Sequence, residues 1–379
     1  PTKVEDSFWY RDLTVHRFEF DPNSRGPACM RGDDFFVETR DGDSDGLMFY
    51  LQGGGVCMDE ICAATVKPTL NLRLLTTGDL VGISGILDKG SLRNPVADYD
   101  VVHVPYCDGS IFSGDVDRVL SDGDPDNGTN DMAYQRGLIN LTAAMQVAKE
   151  RYPNPSNIVL AGTSGGSYGS VVGMALLRHF YPTTPVTIIA DSGAPILTGE
   201  DPGFIRRVLS QIDALKFIPG SCSGCIDNGH ATDIIDWALD RDPNVTVAYM
   251  SHARDHVIGE FFMGLTPEQF ETAVVAETDR LIASHPTRAF RYIKPGAGHT
   301  LTLDVDAVGP ALQAISLQLL GPALFTGDDV TAEELSTWRL GKLSGNQIDE
   351  RGRTVNGYSF LDYVINDPAN AANVTALGL

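Results

Sequence analysis

Basic residues are scarce in this 379-residue chain: 28 Lys and Arg stand against 50 Asp and Glu, a formal net charge of −22. A field of that sign repels polyanions, so nucleic acid and anionic lipid are not expected partners, and solubility in salty media is favoured. Long apolar runs are also missing, and none approaches the ~20 residues that a membrane-spanning helix requires. Aromatic residues make up only 8% of the chain, yet 42% of it is hydrophobic, ample for a sizeable core. Cys222-Ser223-Gly224-Cys225 is a C-x-x-C without the second such pair, or the nearby His pair, that a zinc site needs. Two acidic loops, at 41–46 and 122–126, lack the final Glu of an EF-hand loop and read as Asp/Gly turns. No metal and no cofactor are expected.

What is present is an alternation. Continuous, largely β-branched runs at 46–52, 99–106, 157–162, 186–191, 245–250 and 290–294 have the pattern of strands buried on both faces. Helical spacing links them at 132–152, 167–180, 204–215, 267–284 and 306–319, with Pro153 ending the first. Strands alternating with helices predict a mostly parallel central sheet with helices on both faces. With no internal repeat and no long linker, residues 1–379 read as one domain. Residues 197–243 read as an insertion at the mouth of a site, and 366–379 as a polar tail that frays.

Six cysteines, an even number, fit disulfides in an oxidising compartment, with the pairing left open. The chain opens Pro1-Thr2-Lys3 without Met, as a secreted protein does after loss of its signal peptide. Glycosylation sequons stand at Asn127, Asn140, Asn244 and Asn373. A monomer is expected.

The segment "NIVLAGTSGGSYGSVVG" carries the pattern G-x-S-x-G in two overlapping registers, centred on Ser164 and Ser167. A nucleophile elbow needs a strand, a strained turn and then a helix, with the hydroxyl exposed above the sheet. The strand ends at Gly162, so Ser164 sits on the turn, whereas Ser167 falls inside the helix that follows. Early in the chain "YLQGGGVC" sets Gly53-Gly54-Gly55 directly after a strand, where bare amides can face a developing oxyanion. Gly54 and Gly55, with the N–H of Gly165 next to the nucleophile, are the expected donors. The chain order Ser, acid, His then selects Asp255 after a late strand and His299 after the last one. Asp191 is a rival acid, one strand too early. Phe112, Tyr168 and His256 stand near these segments and are candidates for touching substrate, as is Val56.

"PACMRGD", "YLQGGGVC", "YCDGSIFSGD", "AGTSGG" and "ADSG" follow one another over residues 27–193. In that order they resemble the motifs of the pectin acetylesterase/Notum-like family. The resemblance implies an α/β-hydrolase fold and a serine carboxylesterase acting on acyl esters, acetyl above all. It implies the roles given above to Ser164, Asp255 and His299, and disulfides Cys29–Cys107, Cys57–Cys62 and Cys222–Cys225. Two departures from the family's loop bear on substrate: Val56 replaces an aromatic residue and Gln52 replaces Glu. The alcohol portion is expected to be a polysaccharide, with neutral lipids or polyesters as the alternative. A non-catalytic binder on the same scaffold would lack a triad member, and none is missing.

Overall fold

The computed structural model describes residues 2–4, 13–58, 85–119, 132–193, 201–302 and 343–378. Strands β1 (Thr2–Val4), β2 (Leu13–Phe18) and β3 (Phe35–Arg40) form an antiparallel edge. The parallel part comprises β4 (Gly46–Leu51), β5 (Asp100–Val104), β8 (Asn157–Thr163), β9 (Val186–Asp191), β10 (Val245–His252), β11 (Ala289–Lys294) and β14 (Val374–Thr375). Together they make one 10-stranded sheet in the order β1-β2-β3-β5-β4-β8-β9-β10-β11-β14, while β12 (Gln347–Ile348) and β13 (Thr354–Val355) pair with each other. The central strands coincide closely with the β-branched runs read from the sequence.

Burial explains why those runs are continuous. All of β4 is buried, and its side chains alternate between two cores: Leu47, Phe49 and Leu51 face one, Met48 and Tyr50 the other. Each such side chain contributes about 1.5–3 kcal/mol by leaving water, so a polar residue at any of these positions is costly. Helices α1 (Gly137–Arg151), α2 (Gly165–Phe180), α3 (Phe204–Gln211), α4 (Thr232–Arg241) and α5 (Pro267–Ser284) contribute to the first core. Helix α6 (Gly357–Asn366) packs into the second. Helix α5 starts where the sequence requires it: Thr266 Oγ1 accepts from Gln269 N, Gln269 Oε1 accepts from Thr266 N, and Pro267 opens the first turn.

Four expectations change. The helix expected over 132–152 is split, because Met132–Gln135 is strand β7, paired with β6 (Val116–Val119), and α1 begins only at Gly137. Arg136 is the reason. Its backbone is non-helical, and its buried guanidinium holds Asp117 at 2.7 Å together with the carbonyls of Ser24 and Gly26. The helix expected over 204–215 stops at Gln211, before Asp213 at φ +58°. The tail does not fray: β14 pairs with β11, and Ala371, Ala372 and Val374 are buried. Asn140 and Asn373 are buried too, Asn140 being bonded to both main-chain groups of Ala28, so these two sequons are not accessible to glycosylation.

The expected insertion at 197–243 lies between β9 and β10 and carries α3 and α4. The helix read at 306–319 and the acidic loop at 122–126 fall outside the described residues. Loop 41–46 is a turn between β3 and β4, closed by Asp43 and Ser44 amides donating to Asp98 O.

Candidate active site

Strand β8 ends at Thr163 and α2 begins at Gly165, which leaves Ser164 between them at φ +52° and ψ −120°. A left-handed backbone at a residue with a side chain costs on the order of 1–3 kcal/mol and persists only where its surroundings enforce it. Here they do. A Cβ on Gly162 would lie 2.0 Å from Gly166 O, and one on Gly166 would lie 2.1 Å from Leu51 O. The turn is therefore tighter than any side chain permits, and the Ser164 hydroxyl is carried above the sheet. Ser167, centre of the second register, is buried in the first turn of α2 against Gly193, whose Cβ would come within 2.8 Å of Ser167 Oγ.

The glycine loop after β4 passes beside this elbow. A Cβ on Gly54 would strike the Tyr106 ring at 2.1 Å, and one on Gly165 would meet Gly54 O at 2.6 Å. Tyr106 is itself fixed: its N donates to Gln52 Oε1 at 3.0 Å and its Oη accepts from Ile111 N at 2.7 Å. The loop "DGSIF" that supplies Ile111 is bent by two consecutive left-handed residues, Ile111 at φ +48° and Phe112 at φ +58°. Buried Asp108 accepts from the Ser110 hydroxyl within it. Burial pushes the Asp108 carboxyl up to about 6, against the bonds from Ser110 and Gly137. No side chain caps the N-terminus of α2, whose first turn is closed by Ser167 N donating to Ser164 O at 2.9 Å.

Asp255 follows β10 and is almost fully buried. His299 Nδ1 lies 3.1 and 2.9 Å from its two carboxylate oxygens. A carboxylate can only accept, so Nδ1 carries the proton and Nε2 is left with its lone pair free for another donor. Asp255 Oδ1 also accepts from Val257 N at 3.0 Å and Ile258 N at 3.1 Å. Burial alone would raise the Asp255 pKa, but the charge of the His299 ring, its hydrogen bond and the Ile258 amide outweigh burial and hold it below the ordinary carboxylate value. The rival acid, Asp191, makes no such pair with His299. It receives the amides of Leu301 and Thr302, just beyond the base.

In front of Ser164 lies a recess of ≈ 480 Å³, its open mouth included. Gly54, Gly55, Ser164 and Gly165 form its floor, with Val56, Ile111 and Tyr168 beside them. Its far wall is Phe204, Ile205 and Val208 of α3, together with Ile258, Phe262 and Met263. The last three belong to, or directly follow, a π-helical turn, Val257–Phe262, that begins two residues after the acid. Its first amides are those Asp255 binds, so one carboxylate orients the imidazole and anchors the apolar wall.

The Pectinacetylesterase family profile matches residues 22–201. Pectin acetylesterase 11 of Arabidopsis thaliana is 24% identical over 211 residues, 53% of this chain and 52% of that protein. Pectin acetylesterase 7 of the same plant is 25% identical over 212 residues, again 53% and 52%. The matches thus span about half the length of these relatives. The solved structure of the Wnt deacylase Notum from Drosophila superposes with a TM-score of 0.51 at 17% identity, covering 77% of this chain and 87% of that one. The fold is an α/β-hydrolase fold. Over residues 22–201 the chain is similar to the Pectinacetylesterase family.

The segment "YCDGSIFSGD", the most specific in the resemblance, has its place beneath the glycine loop, where Tyr106 braces Gly54 and Gly109 O accepts from Cys57 N. Two of the family disulfides implied by the resemblance are present, Cys29–Cys107 and Cys222–Cys225. Cys57 is disulfide-bonded as well, and Cys62 lies outside the described residues. Val56 and Tyr168, candidates for touching substrate, line the recess. Phe112 does not: it is buried against Tyr106, with ring centroids 5.0 Å apart, and against Gly169. Reversed backbone at 111 and 112 exchanges the two side chains, so Ile111 takes the place at the recess. His256 turns away too, its Nδ1 meeting Ala297 O in the base loop. The part of the wall from α3 lies in the segment 197–243 read as an insertion at the mouth of a site, whereas the part from the π-helical turn was not read from the sequence.

Proposed function

We propose that this protein is a secreted serine carboxylic-ester hydrolase, with Ser164, His299 and Asp255 as nucleophile, base and acid. What supports this reading is that a strained serine elbow, a glycine loop and a hydrogen-bonded Asp–His pair follow the ends of four strands, β8, β4, β10 and β11, in the parallel part of one sheet. His299 Nε2 takes the proton of Ser164 Oγ as that oxygen attacks the ester carbonyl. The amides of Gly165 and of Gly54 or Gly55 hold the resulting oxyanion, and Asp255 stabilises the charged imidazole. The tetrahedral species collapses as His299 gives its proton to the departing alcohol. Water, activated by the same imidazole, then cleaves the acyl-enzyme and releases the carboxylic acid. No cofactor enters this chemistry.

The relatives' names point to acetyl esters of pectin, and to deacylation in the case of Notum. For this chain an acetyl ester of a glycan is the first reading of the substrate. The charge of −22 opposes a polyanionic pectin except at high salt and favours a neutral acylated partner. The recess supports a second reading. Nine of its lining residues are apolar or aromatic side chains, namely Val56, Ile111, Tyr168, Phe204, Ile205, Val208, Ile258, Phe262 and Met263, and an acetyl group covers few of them. An apolar acyl chain of several carbons, from a lipid or a polyester, would bury more of that surface, at about 0.8 kcal/mol per methylene.

p-Nitrophenyl acetate, butyrate and octanoate test both readings, with Ser164→Ala and Ser167→Ala measured beside the native protein. Ser164→Ala is expected to lose at least about 10³-fold in kcat while Ser167→Ala keeps the chemistry. Activity that survives Ser164→Ala would overturn the assignment. A kcat/KM that rises from acetate to octanoate would support the longer acyl chain.

A further inference from the structure

The three residues after His299 have a feature that the triad does not explain: all of their main-chain N–H groups end on one dipeptide, Asp191-Ser192. Thr300 N donates to Ser192 Oγ at 2.9 Å. Leu301 N donates to both carboxylate oxygens of Asp191, at 3.0 and 2.8 Å. Thr302 N and Thr302 Oγ1 each donate to Asp191 Oδ2 at 2.7 Å. Asp191 is fully buried, and burial pushes its carboxyl above the ordinary range despite these donors.

The same dipeptide reaches the other two triad members through its backbone. Asp191 O accepts from Ser164 N at 2.8 Å, and Ser192 N donates to Met250 O, on the strand leading to Asp255, at 2.8 Å. Gly193 completes the junction, since a Cβ there would lie 2.8 Å from Ser164 O. Ser164, Ser192 and Thr300 are all left-handed, at φ +52°, +55° and +58°, so three strained turns meet at this point and hold one another.

We propose that Asp191 is the positioning residue of the catalytic base: its ionised side chain sets the height of loop 299–302 over Ser164, while Asp255 sets the rotation of the ring. The inference rests on the esterase reading above and adds to it. Asp191 cannot serve as the triad acid in this arrangement, because its oxygens are occupied by amides and His299 Nδ1 already points at Asp255. What it supplies is distance. A base displaced by about 1 Å from its nucleophile can lose 10²-fold in rate.

Asp191→Asn tests this, because its shape is unchanged but one oxygen becomes an NH2 that opposes the Leu301 and Thr302 amides. Thr302→Val, which removes a single donor, and Thr302→Ser, which keeps it, form a milder pair. Active sites are counted by long incubation with a fluorescent phosphonate, and kcat per labelled site is measured with p-nitrophenyl butyrate. Asp191→Asn should lower kcat per site about 30- to 100-fold with KM changed less than about threefold. Thr302→Val should lose several-fold, and Thr302→Ser should recover most of it. A merely structural role would reduce the number of labelled sites and leave kcat per site alone. Native kcat per site in Asp191→Asn, or in Thr302→Val should the first variant not fold, would overturn the proposal. Activity that survives Ser164→Ala would instead bring down the esterase reading, so the two failures are distinguishable.

Discussion

The floor and the far wall of the recess are built by different physical means. At the floor and in the elbow under it, position is set by the close approach of the backbone: Gly162, Gly166, Gly54 and Gly165 stand where a Cβ would come within 2.0 to 2.6 Å of main chain or of the Tyr106 ring. At the far wall, position is set by bulky side chains on short helical segments, Phe204, Val208, Phe262 and Met263. A displaced floor has nowhere to relax, because every neighbour is main chain or a pinned ring. The wall can be recut one side chain at a time. On the proposed reading, reaction chemistry would belong to the floor and acyl selection to the wall, and the two should respond to mutation on different scales.

Gly54→Ala attacks the floor and carries the largest expected effect of the three that follow. Its methyl group would fall on Tyr106, so the oxyanion amides must shift, and kcat should drop by about 10²-fold or more, as it does when an oxyanion donor is lost. Near-native kcat per active site in this variant would mean that the glycine loop does not hold the oxyanion. Phe262→Ala attacks the wall. It should leave kcat for the acetate ester within a few-fold and lower the octanoate-to-acetate ratio of kcat/KM by about tenfold, the loss of one or two methylene contacts. An unchanged ratio would place the acyl chain elsewhere.

The smallest effect is expected beneath the floor, at Asp108. In the folded chain its carboxyl titrates at about 6, against 3.8 unperturbed. The native state therefore keeps this proton to higher pH than the unfolded state, and stability declines as pH rises from about 4 to about 6. Asp108→Asn should flatten that segment of the pH–stability curve, measured by urea midpoints, and a slope as steep as the native one would refute the assignment.

This division also explains what could be read from the sequence. The turn at Ser164, the glycine loop and the Asp255–His299 hydrogen bond were legible because crowding at strand ends forces glycine and because chain order follows strand order in the parallel part of the sheet. The parallel strands were legible because burial on both faces writes continuous apolar runs. The π-helical part of the recess wall was not: Phe262 and Met263 gain their place from a π-helical turn nucleated by Asp255, and no periodicity announces it. Phe112 was misplaced because a left-handed residue leaves no mark when its side chain is bulky. Asp191 was read only as a rival acid one strand too early, since the amides it accepts from lie more than a hundred residues away. Arg136 broke a helix that the apolar spacing carried straight through.

The terminal strand β14 does more than cover β11. Three residues beyond it, Gly378 O accepts from Gly296 N, and Gly378 N donates to Glu271. Gly296 lies three residues before His299, on the loop that carries the base. A protease that trims the chain back to residue 373 would thus uncover a sheet edge able to template association between copies. The same cut would release a tether of the catalytic loop, so inactivation and clumping would arrive together, from a cut remote in sequence from the nucleophile.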